Sequence, residues 1–245
     1  MPSILRADSA KHGQSKGITM ALEALLSDFD GVIGNSEGDS DESGKKWAWK
    51  EGFAKYGIPG GGAWYAALIG HKRVELCEMA IKEFDLSVSL DVFEVEIGDL
   101  EKAAYEKGIP PIPETIDLIK RAAAAGIPIG VVSSQRRKLI SLQLVGYGIG
   151  DLIEILVSAD DDKLPGKPDP APYLRGAVDL GFNPANCLTL EDTGPGVESA
   201  KRAGMRCIGF VNPDSGIQDL SKADVVLDAA GISRLSISDL RSLVP

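Results

Sequence analysis

Short apolar segments alternate along most of the chain with segments in which apolar residues recur at helical spacing. From about residue 21, the run ALEALLSDFDG is apolar and then ends in polar residues and glycine, a pattern typical of a buried strand followed by a loop. Five later runs are similarly short and β-rich, and helical segments separate them: IPIGVVSS, LIEILVS, NCLTLED, MRCIGFV and ADVVLD. Because the runs are apolar throughout, the sequence predicts the α/β fold class, with a doubly wound parallel sheet and helices on both faces.

The segment from about residue 42 to 108 interrupts this alternation and contains no convincing strand. Apolar residues recur near helical spacing in three stretches of it: KKWAWKEGFAKYG, RVELCEMAIKEF and LDVFEVEIGDLEKAAYEKG. The run Gly60-Gly61-Gly62 is interpreted as a flexible loop. A polar run with glycine precedes the segment and the proline-containing GIPPIPE follows it, which indicates two linkers around a small helical domain.

These patterns predict a Rossmann-like α/β core of residues 21–38 and 112–245 and an inserted α-helical cap domain of residues 39–111. An insertion beside the carboxyl end of a strand would place the cap over the crevice where open α/β sheets bind ligands. Residues 1–20 are polar and slightly basic and lack the apolar core of a secretory signal, so we predict a disordered N-terminal tail. A start site upstream of Met20 and a transit peptide stay open as alternatives.

Composition and charge disfavour several classes of protein function. The chain has 245 residues and a formal net charge of −10, which disfavours nucleic acid and anionic membranes as partners. No run approaches the roughly 18 apolar residues that a membrane span requires. The three cysteines are odd in number and lack metal-ligand spacing, as expected for free thiols in a cytoplasmic protein. With only two histidines, a multi-histidine metal site is impossible, and a Ser-His-Asp site would depend on His71.

Chemically reactive side chains follow the predicted strands where each strand ends. The residues in these positions are Asp28, Asp30, Ser133, Ser134, Lys167, Glu191 and Asp192. Because the carboxyl ends of parallel strands share one edge, residues far apart in sequence should converge on one crevice. Clustered carboxylates need a counter-charge, and oxygen ligands alone favour a hard cation, Mg²⁺ by preference.

This set of groups suits phosphoryl transfer. A carboxylate can attack phosphorus and form an acyl phosphate, while a second carboxylate two residues on protonates the leaving oxygen and then deprotonates water. Lys167 and Ser133 would hold the equatorial phosphoryl oxygens. Each signal also has a plainer interpretation: Asp28 and Asp30 as turn residues, Lys167 as a solvated loop lysine, and EDTGPGV as a helix start capped by Thr193.

The sequence resembles the haloacid dehalogenase-like superfamily, in its β-phosphoglucomutase and phosphatase branch, over about residues 22 to 230. Four motifs carry the resemblance, in the family's order: DFDGVIGNS, VVSS, GKPDP and EDTGPGV. The resemblance implies the roles of nucleophile, acid/base, phosphoryl ligand and charge clamp, in that order, for Asp28, Asp30, Ser133 and Lys167. It also implies a magnesium ion bound by Asp28, the backbone carbonyl of Asp30, Glu191 and Asp192. The helical insert matches the position of the family's mobile cap.

Two further residues are candidate substrate ligands. The loop Gly70-His71-Lys72-Arg73 resembles the G-x-x-R loop with which caps of β-phosphoglucomutase-like members reach toward substrate, so Arg73 is predicted to grip a phosphate or a polar group. A surface helix start is the alternative. Ser134, beside Ser133, is the second candidate. The run Asp160-Asp161-Asp162 is interpreted as solvated loop charge and not as a metal site.

The function that follows is a phosphatase acting on a small phosphorylated metabolite of the sugar, polyol or glycolate phosphate type. A β-phosphoglucomutase-like phosphomutase is the alternative, but such mutases usually carry a histidine shortly after the acid/base aspartate, and GDSDESGKK has none. A non-catalytic binding protein on this fold is disfavoured by the complete motif set. The presence of Asp30 argues against dehalogenation, in which no leaving oxygen needs a proton. We expect a monomer or a small homo-oligomer.

Overall fold

The computed structural model describes residues 22–38 and 44–244. The tail predicted at residues 1–20 therefore lies outside the described residues, as do residues 39–43 of the first predicted linker. No helix in the described ranges is both long and apolar enough to cross a membrane.

Six parallel strands form one sheet in the order β3-β2-β1-β4-β5-β6. The strands span Ala24–Ser27 (β1), Ile129–Ser133 (β2), Ile153–Ser158 (β3), Cys187–Glu191 (β4), Arg206–Phe210 (β5) and Val225–Leu227 (β6). Each strand lies within one of the apolar runs of the sequence. β1 is central, with Leu26 opposite Gly130 of β2 and Thr189 of β4. The predicted doubly wound parallel sheet is confirmed.

The α-helices of the described residues flank this sheet or lie between β1 and β2. They span Lys45–Ala54 (α1), Gly61–Ala66 (α2), Arg73–Glu83 (α3), Leu90–Lys107 (α4), Pro113–Ala124 (α5), Arg137–Gly146 (α6), Ala171–Leu180 (α7), Gly194–Arg202 (α8), Ala229–Arg234 (α9) and Ile237–Leu243 (α10). Leu25 joins the core cluster formed with α5, α6, α9 and α10, and Leu26 joins the cluster formed with α7 and α8. Adjacent strand residues face opposite sides of a sheet, so a sheet covered on both faces requires a continuous apolar run.

Helices α1 to α4 form a hydrophobic cluster of their own. Trp49 lies at its centre, fully buried, with its ring centroid 5.7 Å from that of Tyr65 and 6.2 Å from that of Phe93. The helical pattern predicted for this part of the chain is thus observed in α1, α3 and α4. Its separate apolar cluster agrees with a small inserted unit, although the domain boundaries themselves stay a prediction.

The loop predicted for Gly60-Gly61-Gly62 is wrong, because α2 begins at Gly61. Gly60 has a φ of +85°, in the region that favours glycine, and it precedes the first turn. A Cβ on Gly61 would lie 2.5 Å from the ring of Phe53, so this position requires the smallest residue. Close packing against α1 overrides the low helix propensity of glycine.

The sheet edge differs from its centre. The residues of β1, β2 and β4 are all buried, whereas in β3 Ile153, Ile155 and Leu156 are partly exposed and Glu154 is exposed, because an edge strand has one neighbour. Cys77, Cys187 and Cys207 are buried and unbridged.

Candidate active site

The loop after β1 begins the site. β1 lies between β2 and β4, where the strand order reverses, so the connections on either side diverge and leave a crevice. Asp28 directly follows β1, and the chain then turns, with the backbone amide of Gly34 donating to the carbonyl oxygen of Phe29 at 2.9 Å. Gly31 has a φ of +76°, and a Cβ there would lie 2.0 Å from Oδ2 of Asp192. The turn and the close approach of Asp192 both require this glycine.

Three carboxylates and one ammonium group meet in the crevice. Asp28, Glu191 and Asp192 are buried, and each offers an oxygen within 4.8 Å of the others. Lys167 Nζ lies 2.7 Å from Asp28 Oδ1 and 2.5 Å from Glu191 Oε1. The hydroxyl of Tyr173 donates to the same Glu191 oxygen at 2.6 Å. When all four charged groups are ionised, the ammonium compensates one of the three negative charges.

Burial and mutual repulsion shift the pKa values of these groups. Burial is the largest cause for Asp28, and despite the attraction of Lys167 its pKa rises to about 7. The pKa of Asp192 is raised well above its ordinary value, first by burial and then by Asp28 and Glu191. Burial alone would lower the pKa of Lys167, but Asp28 and Glu191 hold it above its usual range. The lysine therefore stays charged, and the carboxylates need a further cation to ionise together.

Asp192 carries the most direct sign of a cation site. Its Oδ1 is buried and has no hydrogen-bond partner among the described residues, while its Oδ2 accepts a hydrogen bond from Ser215 Oγ. A buried carboxylate oxygen without a partner is costly unless a cation binds to it. Oxygen donors without histidine or thiolate suit a hard divalent cation. The residues present therefore fit the metal that the sequence predicts.

The fourth motif, EDTGPGV, contains Glu191 and Asp192 and also the first residues of α8. Thr193 Oγ1 accepts a hydrogen bond from the backbone amide of Gly196 at 3.1 Å, so the helix start capped by Thr193 is confirmed. A Cβ on Gly196 would lie 1.9 Å from Glu191 Oε2. The helix start packs directly against the carboxylate that precedes it, and both interpretations of the motif hold together.

Asp30 is held on both of its carboxylate oxygens. Oδ1 accepts hydrogen bonds from Ser36 Oγ at 2.8 Å and from the hydroxyl of Tyr105. Oδ2 accepts a hydrogen bond from Ser133 Oγ at 3.2 Å and lies 2.9 Å from Lys45 Nζ. Burial alone would raise the pKa of Asp30, but Lys45 and the hydrogen bonds hold it below its ordinary value. The Asp30 carboxylate is not part of the close carboxylate cluster, so its metal role stays a prediction for the backbone carbonyl.

The two serines of the second motif lie at the same place. Ser133 is the last residue of β2, and its Oγ accepts the backbone N–H of Gln135 at 3.0 Å. Ser134 lines the site cavity together with Asp30 and Lys167. The structure thus brings both serines to the crevice, and their roles as phosphoryl and substrate ligands stay predictions.

Arg73 begins α3 and is bound to carboxylates. Its guanidinium lies 3.1 Å from Glu101 Oε2, 3.4 Å from Glu94 Oε1 and 3.1 Å from Asp160 Oδ2. Because Glu94 and Glu101 belong to α4 and Asp160 follows β3, the guanidinium joins the helical segment to the sheet. Arg73 also lines a pocket beside the site with Ser134, and its role as a substrate ligand stays a prediction.

The run of aspartates after β3 lies at the surface as predicted, with Asp160 and Asp161 exposed and Asp162 partly buried. Asp160 pairs with Arg73, and Asp162 pairs with Arg137 at 2.8 Å. The close carboxylate cluster found among the described residues does not include this run.

Three residues that contact Asp30 were not predicted from the sequence, namely Ser36, Lys45 and Tyr105. Ser36 ends the motif DFDGVIGNS, so the motif itself contained the signal. Lys45 begins α1, in a stretch where a solvent-facing lysine is the ordinary interpretation. Tyr105 lies 75 residues after Asp30, and no spacing rule relates the two.

Residues 25–210 match the family model described as haloacid dehalogenase-like hydrolase. The chain is 29% identical over 211 residues to the validoxylamine A 7′-phosphate phosphatase of Streptomyces hygroscopicus subsp. limoneus, covering 84% of this chain and 92% of that protein. It is 26% identical over 216 residues to a bifunctional riboflavin kinase/FMN phosphatase of Arabidopsis thaliana, covering 88% of this chain but 55%, about half, of that longer protein.

Among solved structures, a β-phosphoglucomutase from Clostridium difficile matches with a TM-score of 0.74 and 24% identity, covering 91% of this chain and 97% of that one. At this level of identity the likeness shows the shared fold. The combined matches show a phosphatase-type member of a hydrolase family on a Rossmann-like sheet.

Proposed function

The chain belongs to the haloacid dehalogenase-like hydrolase family, and from this premise we propose that it is a magnesium-dependent phosphatase that hydrolyses a small phosphorylated metabolite through an aspartyl-phosphate on Asp28. One observation carries the proposal: the buried carboxylates of Asp28, Glu191 and Asp192 lie together with a single lysine. Such an arrangement does not stabilise a protein core, because buried charge without compensation is destabilising.

The metal would be held by Asp28, Glu191 and Asp192, with the unpartnered Oδ1 of Asp192 as one ligand atom. When bound, Mg²⁺ supplies the positive charge that lets a carboxylate nucleophile approach a phosphoryl group. Lys167 supplies a further positive charge from 2.7 Å away from Asp28. It holds the nucleophile's Oδ1, which leaves the other oxygen of Asp28 as the attacking atom.

The proposed reaction has two steps. In the first, an oxygen of Asp28 forms a bond to phosphorus, and the ester P–O bond breaks with its electron pair on the leaving oxygen, which takes a proton from Asp30. In the second, water gives a proton to Asp30 while its oxygen attacks phosphorus and displaces the Asp28 carboxylate. The second step returns both aspartates to their initial states.

We further propose that residues 39–111 act as a cap that excludes water from this chemistry. Lys45 of α1, Tyr65 of α2 and Ile69 and His71 of the following turn line the same cavity as Asp28. A Cβ on Gly70 would lie 3.3 Å from Thr193, so this turn packs directly on the fourth motif. These contacts support a cap that covers the nucleophile.

The substrate is proposed to be a sugar, polyol or glycolate phosphate. Two relatives are named as phosphatases of small phosphorylated molecules, validoxylamine A 7′-phosphate and FMN. Beside the phosphoryl site the cavity is lined mainly by polar side chains, among them Glu37, Tyr65 and Ser134. Such groups suit the hydroxyls of a polar metabolite.

Phosphate release from a panel of sugar, polyol and glycolate phosphates tests the proposal. The protein is expected to release phosphate in the presence of Mg²⁺ and to lose this activity with chelator and in Asp28→Asn. Asp151→Asn, an exposed aspartate near β3, is the matched control and should keep full activity. Full activity in Asp28→Asn would refute the mechanism. Conversion of glucose 1-phosphate to its isomer without phosphate release would favour the mutase.

A further inference from the structure

The loop after β5 contacts a proposed metal ligand, although it belongs to none of the four motifs. Ser215 lies in this loop and is fully buried, and its Oγ donates a hydrogen bond to Asp192 Oδ2. Because β5 is parallel to β4 and adjacent to it, the loop lies at the same sheet edge as Asp192. Asp192 Oδ1 is buried without a hydrogen-bond partner among the described residues. One oxygen of Asp192 is therefore held by the protein, and the other is the atom that the proposed metal would bind.

The first motif holds this loop from one side. Asn212 Nδ2 donates to the carbonyl oxygen of Gly31 at 2.9 Å, and Asn212 Oδ1 accepts the backbone N–H of Asp214 at 3.0 Å. Asn35 Nδ2 donates to Asp214 Oδ2 at 2.7 Å. A Cβ on Gly31 would lie 2.8 Å from Ser215 Oγ, so the loop after β1 and the loop after β5 are in close contact. These contacts fix Ser215 relative to the first motif.

The fourth motif holds the loop from the other side. Gln218 Nε2 donates to the carbonyl oxygen of Ser215 at 2.9 Å, and Gln218 Oε1 accepts the backbone N–H of Gly194, the first residue of α8, at 3.2 Å. The backbone N–H of Ser215 donates to the carbonyl oxygen of Asn212 at 3.1 Å. Because both backbone polar groups of Ser215 are bound, its hydroxyl reaches Asp192 from a fixed position.

We propose that Ser215 is a positioning residue for the metal site: by holding Asp192 Oδ2, it orients the carboxylate so that Oδ1 binds the cation. This inference rests on the proposed function, in which Asp192 is a ligand of Mg²⁺. The last torsion of an aspartate side chain is broad, so a carboxylate without partners would adopt several orientations. Hydrogen bonds that orient a metal ligand typically contribute about 10- to 100-fold to metal affinity.

The competing role for Ser215 is structural. A buried hydroxyl that donates to a buried carboxylate stabilises the fold whether or not a metal binds. The two roles differ in what the loss of the hydroxyl changes. A structural hydroxyl affects the stability of the protein in chelator and leaves its metal affinity unchanged, whereas a positioning hydroxyl affects the metal affinity itself.

The test titrates the chelator-treated full chain with Mn²⁺, which like Mg²⁺ prefers oxygen ligands, and follows free Mn²⁺ by electron paramagnetic resonance. No substrate is present, so the measured Kd does not depend on catalysis. Ser215→Ala is expected to raise the Kd by about 10-fold or more. Ser199→Ala is the matched control, because it removes a buried hydroxyl that donates to the carbonyl oxygen of Asp169, and it should leave the Kd unchanged.

Two further variants test the same role. Asn212→Ala keeps Ser215 but releases its loop from Gly31, and it should raise the Kd by about threefold or more, a smaller effect than that of losing the hydroxyl. In an Asp192→Asn background, Ser215→Ala should raise the Kd by less than about twofold, because the carboxylate through which Ser215 acts is missing.

An unchanged Kd in Ser215→Ala, or in Asn212→Ala where Ser215→Ala does not fold, would overturn the positioning role. An equal rise with and without the Asp192 carboxylate would also overturn it. The proposed function fails separately. A protein that binds Mn²⁺ and releases no phosphate from any ester contradicts the phosphatase alone, whereas an unmodified protein that binds no Mn²⁺ contradicts the metal site and this inference together.

Discussion

Binding of Mg²⁺ to the carboxylate cluster should stabilise the folded protein, and the size of the effect follows from the ratio of the Mg²⁺ concentration to its dissociation constant. A ligand that binds only the folded state stabilises it by about 2.7 kcal/mol when its concentration is 100 times its dissociation constant. For a chain of this size, about 1 kcal/mol shifts the melting temperature by roughly 2–4 °C. Chelator-treated protein should therefore gain about 5–11 °C in melting temperature on saturation with Mg²⁺.

Asp192→Asn is the decisive perturbation for this prediction. The amide keeps the shape of the side chain but cannot ionise, so it removes one of the three carboxylates that could bind the metal. Because burial, and then the charges of Asp28 and Glu191, raise the pKa of Asp192, its ionised form does not stabilise the metal-free protein, and the variant should be at least as stable as the unmodified protein in chelator. With a carboxylate ligand lost, it should also lose most of the rise caused by Mg²⁺.

Thermal unfolding followed by circular dichroism measures both effects, with NaCl at matched ionic strength as the control for screening. Asp151→Asn removes an exposed carboxylate and should respond to Mg²⁺ as the unmodified protein does. An equal rise in Asp192→Asn, or no rise in the unmodified protein at millimolar Mg²⁺, would refute the assignment of the cluster as a metal site.

Three further predictions concern charge, backbone and packing. Because burial raises the pKa of Asp28 to about 7, the folded state without metal binds a proton that the unfolded chain releases; the contribution of Asp28 to stability in chelator should fall as pH rises from 5 to 7, by up to about 1.4 kcal/mol per unit, and be constant above 7. Urea unfolding measures this fall, which should be smaller in Asp28→Asn, and an equal fall in the variant would contradict the assignment. Gly31→Ala should weaken Mg²⁺ binding in a thermal-shift titration, since its Cβ would displace Asp192, and an unchanged midpoint would contradict this. Trp49→Ala should cost about 3–5 kcal/mol in urea unfolding because the ring is fully buried, and a loss below about 1 kcal/mol would contradict the packing.

The sheet was predictable because a strand that is buried on both faces requires apolar residues at successive positions. Leu25 and Leu26 face opposite core clusters, and both positions must be apolar. The reactive residues could be found for a related reason, since the carboxyl ends of parallel strands share one edge wherever the chain places them. Asp28, Lys167 and Asp192 are distant in sequence and adjacent in the crevice for this reason.

Contacts made by the helical segment could not be predicted in this way. Lys45 and Tyr105 reach Asp30 because the start of α1 and the end of α4 lie beside the loop after β1, a tertiary arrangement that no local pattern encodes. Position 61 of α2 is a glycine because the ring of Phe53 leaves no room for a larger side chain. At such positions tertiary packing, and not local propensity, determines which residue is accommodated.

Transfer of phosphate to Asp28 is the step on which the proposed mechanism depends. The most direct measurement is to mix enzyme, Mg²⁺ and an accepted substrate, quench with acid during turnover, and locate phosphate by peptide mass spectrometry. If Asp28 is the nucleophile, phosphate should be found on the peptide that carries Asp28, should be labile to hydroxylamine and should be missing in Asp28→Asn. Steady turnover with phosphate on a different residue, or with undiminished activity in Asp28→Asn, would contradict it.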